Sequence, residues 1–163
     1  MAGRTSNFQL KEITKNNGIA LDEVIMKDNL KNIKKKQKLS IILNLQSSDV
    51  GYGTHWVAIW RNKNVFCYFD SFGTPPPIEV IKYAKPLTIA YSNFIVQSLG
   101  SDECGLFCIA FLHYMNNNNG DSFENYNDFI NIFNHNTKTN DKQLIKYINV
   151  SKININNIIN LRK

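Results

Sequence analysis

The pattern of hydrophobic and polar positions changes along this 163-residue chain, and in its first part the pattern favours helices. Leu10–Lys15 predicts a short helix, with Ser6 or Asn7 as its N-cap and Gly18 as its stop. Ala20–Leu30 predicts a second helix. Up to this point the sequence predicts helices without a sheet.

From residue 39 the apolar runs become short and rich in branched and aromatic side chains, which favours strands. IILNL predicts one strand, and GYGTHWVAIWRNKNVFCYFDSFG predicts two strands about a polar turn. The TPPP stretch that follows ends regular pairing, because proline cannot donate a hydrogen bond to a ladder. Leu87–Tyr91 and Phe94–Val96 are two further candidate strands.

The last third of the chain is predicted to be helical. Cys104–Met115 is apolar on nearly every side, which predicts a helix buried in the middle of a domain. After the polar NNNNGD stretch, two or three helical segments are predicted, at Phe123–Phe133, Asp141–Val150 and Ile153–Leu161. Since no internal repeat or clear linker divides the chain, we predict a single domain over residues 1–163.

Composition limits the class of protein. Hydrophobic residues make up 43% and aromatic residues 12% of the chain, which is typical of a globular domain. No stretch approaches the roughly 20 apolar residues of a membrane span, and MAGRTSNFQLKE lacks the apolar core of a secretory signal. Three cysteines are few and odd in number, which is not typical of a disulfide framework. We therefore expect a protein of a reducing compartment that is not secreted.

The net charge of +6 changes this picture only locally. The segment KNIKKKQK, Lys31–Lys38, is the one clear run of like charge. It is consistent with a solvated face and also with a patch that contacts a polyanion such as nucleic acid. Composition leaves both interpretations open.

Counting across the predicted hairpin brings a histidine next to a carboxylate. If the chain reverses at Asn62 and Lys63, or through a four-residue loop from Arg61 to Asn64, opposed residues have numbers that sum to 125, and His55 faces Asp70. The same register collects an apolar face made of Trp56, Ala58, Trp60, Val65, Cys67 and Phe69. A three-residue loop would instead place the pair on opposite faces. The pair is either an orienting couple for catalysis or a surface contact without chemistry.

The segment QSLGSDECGLFC carries a candidate nucleophile. Cys104 begins the buried helix, with Ser101 or Asp102 available as N-cap, and a helix N-terminus favours a thiolate. Gly105 would let a substrate backbone approach closely. The Cys104 N–H and the Gln97 side-chain amide are candidate donors to an oxyanion. With the histidine and carboxylate of the hairpin, these are the components of a thiol hydrolase.

Each of these residues also has an ordinary structural interpretation. Free cysteines are commonly buried, so Cys104 competes with a core assignment, and Cys67 and Cys108 are interpreted as core. The C-x-x-x-C spacing is poor for zinc, and no metal site is predicted. His113 and His135 lack a spaced partner and are interpreted as structural or exposed.

Three stretches resemble the adenovirus maturation protease family, the adenains, and more distantly the ubiquitin-like-protein proteases that cut SUMO conjugates. They are HWVAIW, CYFDSFG and VQSLGSDECGLFCIAFLH, within residues 53–74 and 95–113. The resemblance implies His55 as general base and acid, Asp70 as its orienting carboxylate, Cys104 as nucleophile and Gln97 as oxyanion donor. It also implies an α+β, papain-like fold, in which a mixed, largely antiparallel sheet packs on the central helix that bears the nucleophile, with flanking helices.

The function implied by this resemblance is cysteine endopeptidase cleavage of viral capsid and structural precursors during virion maturation. The expected source is a virus, virophage or virus-like transposon, and the expected site of action is the virion and the site of assembly in the cytoplasm or nucleus. The alternative is a deubiquitinating or SUMO-deconjugating protease that acts on host conjugates. A third hypothesis, a non-catalytic basic binding domain, is disfavoured by the intact set of four site residues.

Two departures from the adenain pattern change what is expected. Adenain has Glu at the position of Asp70, whereas the SUMO-protease branch has Asp, as this chain does. The cysteine that links adenain to its activating peptide would fall near Pro86, where this chain has none, so no disulfide-linked peptide is expected. No cofactor is required by the predicted chemistry. Stimulation by DNA stays open through Lys31–Lys38, because such contacts need only phosphates.

Overall fold

A computed structural model describes residues 5–49 and 55–156. Within these ranges the strands are β1 Glu23–Met26, β2 Lys38–Asn44, β3 Trp56–Asn62, β4 Val65–Phe69 and β5 Ile89–Tyr91. The helices are α1 Asn7–Asn16, α2 Ile78–Ala84, α3 Cys104–Asn117, α4 Ser122–Ile130 and α5 Thr137–Val150, with a 3-10 helix at Lys27–Asn32. None of the helices in the described part is both long and apolar enough to cross a bilayer.

The five strands form one mixed sheet in the order β1-β2-β3-β4-β5. The long central ladders, β2 with β3 and β3 with β4, are antiparallel, while the short edge strands β1 and β5 pair in parallel with their neighbours. The α+β class with a mixed sheet is confirmed.

Both faces of the sheet are covered, which explains why β2 and β3 are apolar almost throughout. One face packs against α3, which is surrounded by α1, α4 and α5 in a single apolar cluster. The other face packs against α2 and the 3-10 helix in a second cluster. The buried central helix is thus confirmed, and its N-terminal residue Cys104 belongs to the first of these two clusters.

The β3–β4 hairpin has a different register from the one predicted. Asn62 pairs with Val65 and Ala58 with Phe69, so opposed numbers sum to 127 and not to 125. The reason is that the two loop residues are Lys63 and Asn64, one position later than predicted, with a positive φ of 53° at Lys63, as short hairpin turns favour. A shift of two residues leaves every side chain on its predicted face, because the side-chain period of a strand is two. The apolar face of the hairpin is therefore confirmed.

Several predicted elements are wrong in kind. Ala20–Leu30 is not a helix but the edge strand β1 followed by the 3-10 helix, because backbone pairing with β2 outweighs a weak local helical preference. Phe94–Val96 is not a strand, although the Val96 N–H donates to the Ser71 carbonyl at 2.9 Å. The helix α2 was missed, and it begins directly after Pro77.

The remaining predicted helices are confirmed with small changes of boundary. Ser6 caps α1 through a capping box with Gln9, as its position predicted. Of the predicted helix Ile153–Leu161, residues 153–155 are not helical, and positions 157–161 lie outside the described residues. Positions 51–54 of the first hairpin segment also lie outside them.

Candidate active site

The loop that follows β4 holds Asp70 as a fully engaged, buried carboxylate. Its Oδ1 accepts hydrogen bonds from His55 Nε2 at 2.6 Å and from the Phe72 N–H at 2.8 Å. Its Oδ2 accepts a hydrogen bond from the Thr74 hydroxyl. Because Ala58–Phe69 is the last pair of the ladder, Asp70 lies just beyond it. The predicted contact between His55 and Asp70 exists, but the loop makes it and direct cross-strand opposition does not.

Gly73 gives this loop its shape. Its φ is +67°, and a Cβ at this position would lie 2.6 Å from the Asn93 carbonyl oxygen. A side chain is therefore excluded both by the left-handed backbone and by the close approach of another segment. The Asp70 loop consequently packs directly on the segment that leads to Gln97.

His55 lies between the carboxylate and the thiol. Its ring stacks on Phe72 with centroids 4.6 Å apart, and it interacts electrostatically with Cys104 as well as with Asp70. Since Asp70 takes Nε2, Nδ1 is the ring nitrogen left for the sulfur. Burial disfavours the charged imidazole, but the hydrogen bonds to and charges of Asp70 and Cys104 outweigh it and raise the pKa of His55 to about 9. The contacts with Asp70 and Cys104 thus stabilise the charged form of the imidazole.

Cys104 is the first residue of α3 and is only 3% exposed. The predicted capping by Ser101 or Asp102 is wrong, because Glu103 occupies the N-cap without a side-chain cap bond, and the Ser101 hydroxyl accepts from the Glu103 N–H one residue earlier. The thiol thus meets both interpretations of the sequence, since it belongs to the apolar cluster and also contacts His55. A thiol, an imidazole and a carboxylate in a row can carry out proton transfer and nucleophilic attack.

Gln97 is held in place by the two loops around it. Its Oε1 accepts a hydrogen bond from the Ser71 hydroxyl at 2.5 Å, and its Nε2 donates to the Ser101 carbonyl at 2.7 Å. The backbone N–H of Gln97 also donates to the Ser71 carbonyl at 3.0 Å. An amide nitrogen carries two hydrogens, and the bond to Ser101 uses one of them. The other hydrogen is available to an oxyanion. The role of Gln97 as a donor stays a prediction, and the two hydrogen bonds of its amide hold the side chain in a fixed orientation.

Gly105 does not face a substrate, contrary to the expectation from sequence. A Cβ on it would lie 3.1 Å from Leu10 Cδ2 and 3.1 Å from Thr5 Cβ. The Thr5 carbonyl in turn accepts a hydrogen bond from Trp56 Nε1 at 2.8 Å. The glycine therefore allows the N-terminal segment to pack on the start of α3.

The other cysteines and histidines have structural environments. Cys67 and Cys108 are buried and unpaired, and burial raises the pKa of the Cys67 thiol to about 12 and that of Cys108 as well. His113 hydrogen-bonds the Tyr147 hydroxyl, and His135 packs on Phe94. Across residues 5–49 and 55–156, no three His, Cys, Asp or Glu side chains are grouped so that they could hold a metal ion.

Three functional neighbours were missed by sequence reasoning: Ser71, Phe72 and Thr74. All three belong to the DSFGT stretch that contains Asp70. Ser71 fixes Gln97, Phe72 covers the imidazole, and Thr74 holds the carboxylate. Their adjacency to Asp70 was a usable signal, because residues that follow a catalytic carboxylate in a turn commonly orient it through local hydrogen bonds.

The fold that carries this site is shared with a protease of known structure. The chain is similar to the crystal structure of the ASFV pS273R protease, with a TM-score of 0.59 and 18% sequence identity, over 94% of this chain and 68% of that one. At this identity the likeness establishes the fold alone. The sequence matches no protein-family model and no curated protein.

Proposed function

We propose that this protein is a cysteine endopeptidase with Cys104 as its nucleophile. The observation that carries the proposal is the continuous line of contacts from Cys104 through His55 to Asp70, at the start of a buried helix. A carboxylate that fixes the histidine and a histidine that contacts the thiol are the geometric signature of nucleophilic catalysis. The protease fold gives independent support.

Each residue has a definite part in the reaction. His55 takes the thiol proton of Cys104 as the sulfur attacks the substrate carbonyl carbon. The carbonyl oxygen takes up the electron pair of its π bond, and the Cys104 N–H and the Gln97 amide stabilise the negative charge. The carbon–nitrogen bond then breaks, and His55 gives its proton to the leaving amine. Water, deprotonated by His55, attacks the thioester and releases the acid and the thiol. Asp70 holds the imidazole and stabilises its charged form throughout.

We place the substrates among capsid and structural precursors of a virus or virus-like element, cleaved during virion maturation. The CGLFC and HWVAIW stretches, which resemble adenain, support this choice, and so does the likeness of the fold to a protease of ASFV. The protein would then act in the virion or at the site of assembly. The Lys31–Lys38 segment is the proposed contact with DNA, although Lys36 already pairs with Asp22 at 3.0 Å.

A second function, removal of ubiquitin or SUMO from conjugates, is favoured by one observation. The carboxylate partner of His55 is Asp70, as in the SUMO-protease branch, and adenain has Glu. The two functions share their chemistry and differ in substrate.

The test is co-expression with a candidate structural precursor from the same genome. Cys104→Ala is expected to abolish processing, while Cys67→Ala, which removes another buried free thiol, is expected to retain it. Processing that persists in Cys104→Ala would refute the nucleophile assignment. An electrophilic ubiquitin or SUMO probe is expected to label the protein slowly, and fast stoichiometric labelling of Cys104 would instead support deconjugation.

A further inference from the structure

A cavity of about 610 Å³ lies next to Gln97, outside the line of Cys104, His55 and Asp70. Three separate parts of the chain form its walls: the Asp70 loop, the segment before α3 and the segment before α5. The residues that matter are Phe72, Phe94, Ile95, Gln97, Leu99 and His135. Of these, only Gln97 was assigned a role from the sequence, as an oxyanion donor.

Two of these walls are shared with the reaction machinery. The Phe72 ring that lines the cavity also stacks on His55 at 4.6 Å between centroids. Gln97 lines it too, and its amide is the proposed oxyanion donor. The cavity therefore opens directly beside the position of the scissile bond.

The chemistry of the reaction decides which half of the substrate reaches this cavity. His55 gives its proton to the nitrogen of the leaving amine, so the residue that follows the cleaved bond must lie against the imidazole. Phe72 covers that imidazole and continues into the cavity wall. The cavity is thus adjacent to the leaving half of the substrate.

The lining indicates what kind of side chain it accepts. Ile95 is 54% exposed and Leu99 is 91% exposed, and both contribute apolar surface to the cavity. Among the described residues that line it, there is no carboxylate, lysine or arginine. An apolar occupant would remove this exposed surface from water, whereas a charged one would lose hydration without gaining a partner.

A neighbouring cavity of about 470 Å³ has the opposite character. It shares Leu99 but is lined by Asp102, Glu103 and Asp141, and neither Phe72 nor Gln97 belongs to it. A basic substrate residue would favour that cavity. The two cavities therefore make opposite predictions about specificity.

We propose that the cavity formed by Phe72, Phe94, Ile95 and Leu99 binds an apolar side chain of the substrate at the first or second position after the cleaved bond. This subsite rests on the proposed endopeptidase function and adds a specificity to it. It makes the enzyme selective for the leaving half of its substrate.

The first experiment measures cleavage of a mixture of synthetic peptides with randomised sequences, with products identified by mass spectrometry. Wild type is expected to prefer Leu, Ile, Met or Phe over Ser, Asp or Lys at these positions by about 10-fold, as burial of one apolar side chain provides. Ile95→Ser is expected to lower this preference severalfold. Ile78→Ser is the matched control, because Ile78 is 56% exposed but lies on α2, outside the cavity.

The second experiment needs no turnover. Cys104→Ala protein labelled with ¹⁵N is titrated with two short peptides that have a free N-terminus and differ only in carrying Leu or Ser at both of their first two positions. The Leu peptide is expected to bind more tightly and to shift the amide signals of Ile95, Gln97 and Leu99, and the added Ile95→Ser change is expected to weaken it.

The outcomes separate this proposal from the proposed function. Cleavage with no apolar preference, or with a preference for Lys and Arg, overturns the subsite and leaves the endopeptidase intact. No cleavage together with selective binding of the Leu peptide removes the endopeptidase and retains the cavity as a binding site. Equal binding of both peptides, or loss of preference in Ile78→Ser as well as Ile95→Ser, also overturns the subsite.

Discussion

Ser71→Ala tests whether the oxyanion donor is held in position by a residue that never touches the substrate. Ser71 and Gln97 are each only 1% exposed, and the serine hydroxyl donates to Gln97 Oε1 at 2.5 Å. Alanine removes this hydroxyl but retains the Ser71 carbonyl, which accepts from the Val96 and Gln97 N–H groups. The change is therefore confined to one hydrogen bond of the amide side chain.

The magnitude follows from what the lost bond leaves behind. A buried acceptor without a partner costs about 1–3 kcal/mol. The present orientation of the Gln97 amide therefore becomes less stable by that amount relative to orientations in which Oε1 finds another donor. Complete loss of one oxyanion donor costs about 10²- to 10³-fold in kcat. Because Nε2 keeps its bond to the Ser101 carbonyl, we expect an intermediate result for Ser71→Ala, a loss of about 10-fold.

The assay is steady-state cleavage of one peptide substrate by wild type, Ser71→Ala, Gln97→Ala and the double variant. The loss is expected in kcat with KM little changed, since an oxyanion forms only after binding. In the Gln97→Ala background, Ser71→Ala is expected to cost nothing further in kcat. Additive losses, or a loss confined to KM, would refute the positioning role.

Two further predictions concern charge. In Asp70→Asn, the His55 pKa, followed by NMR of its ring protons, is expected to fall from about 9, because the carboxylate that raises it is gone; an unchanged value would contradict the assigned cause. Since this pKa is raised from 6.5 in the folded protein, the stability it contributes is complete below pH 6.5 and is lost as pH rises towards 9. Denaturant unfolding across this range is therefore expected to be less pH-dependent in Asp70→Asn. Replacing the lysines of Lys31–Lys38 with Gln is expected to abolish retention on duplex DNA and any rate gain from it, and unchanged retention would show that the patch is only a solvated face.

The sequence was sufficient for the His55–Asp70 pair but not for its geometry. An error of two residues in register leaves each side chain on the same face of the sheet, because side chains alternate between faces with a period of two. The predicted faces were therefore right although the predicted pairing was wrong. Gln97 could be named from its position before Cys104, but its link to Ser71 joins two irregular loops, and no periodicity predicts such contacts. The edge strand β1 was mistaken for a helix because its identity depends on β2 as a partner.

The contact between Thr5 and Gly105 has a consequence for synthesis. Chains leave the ribosome N-terminus first, so the hairpin with His55 and Asp70 can form early, from residues close in sequence. The surface that receives Thr5 and Leu10 exists only once the start of α3 has emerged, and Cys104 precedes Gly105 directly. The segment with Thr5 and Leu10 is therefore made before the surface that receives it, and it can dock only after Cys104 has also emerged. A nascent chain would therefore not assemble the proposed active site until the start of α3 has emerged.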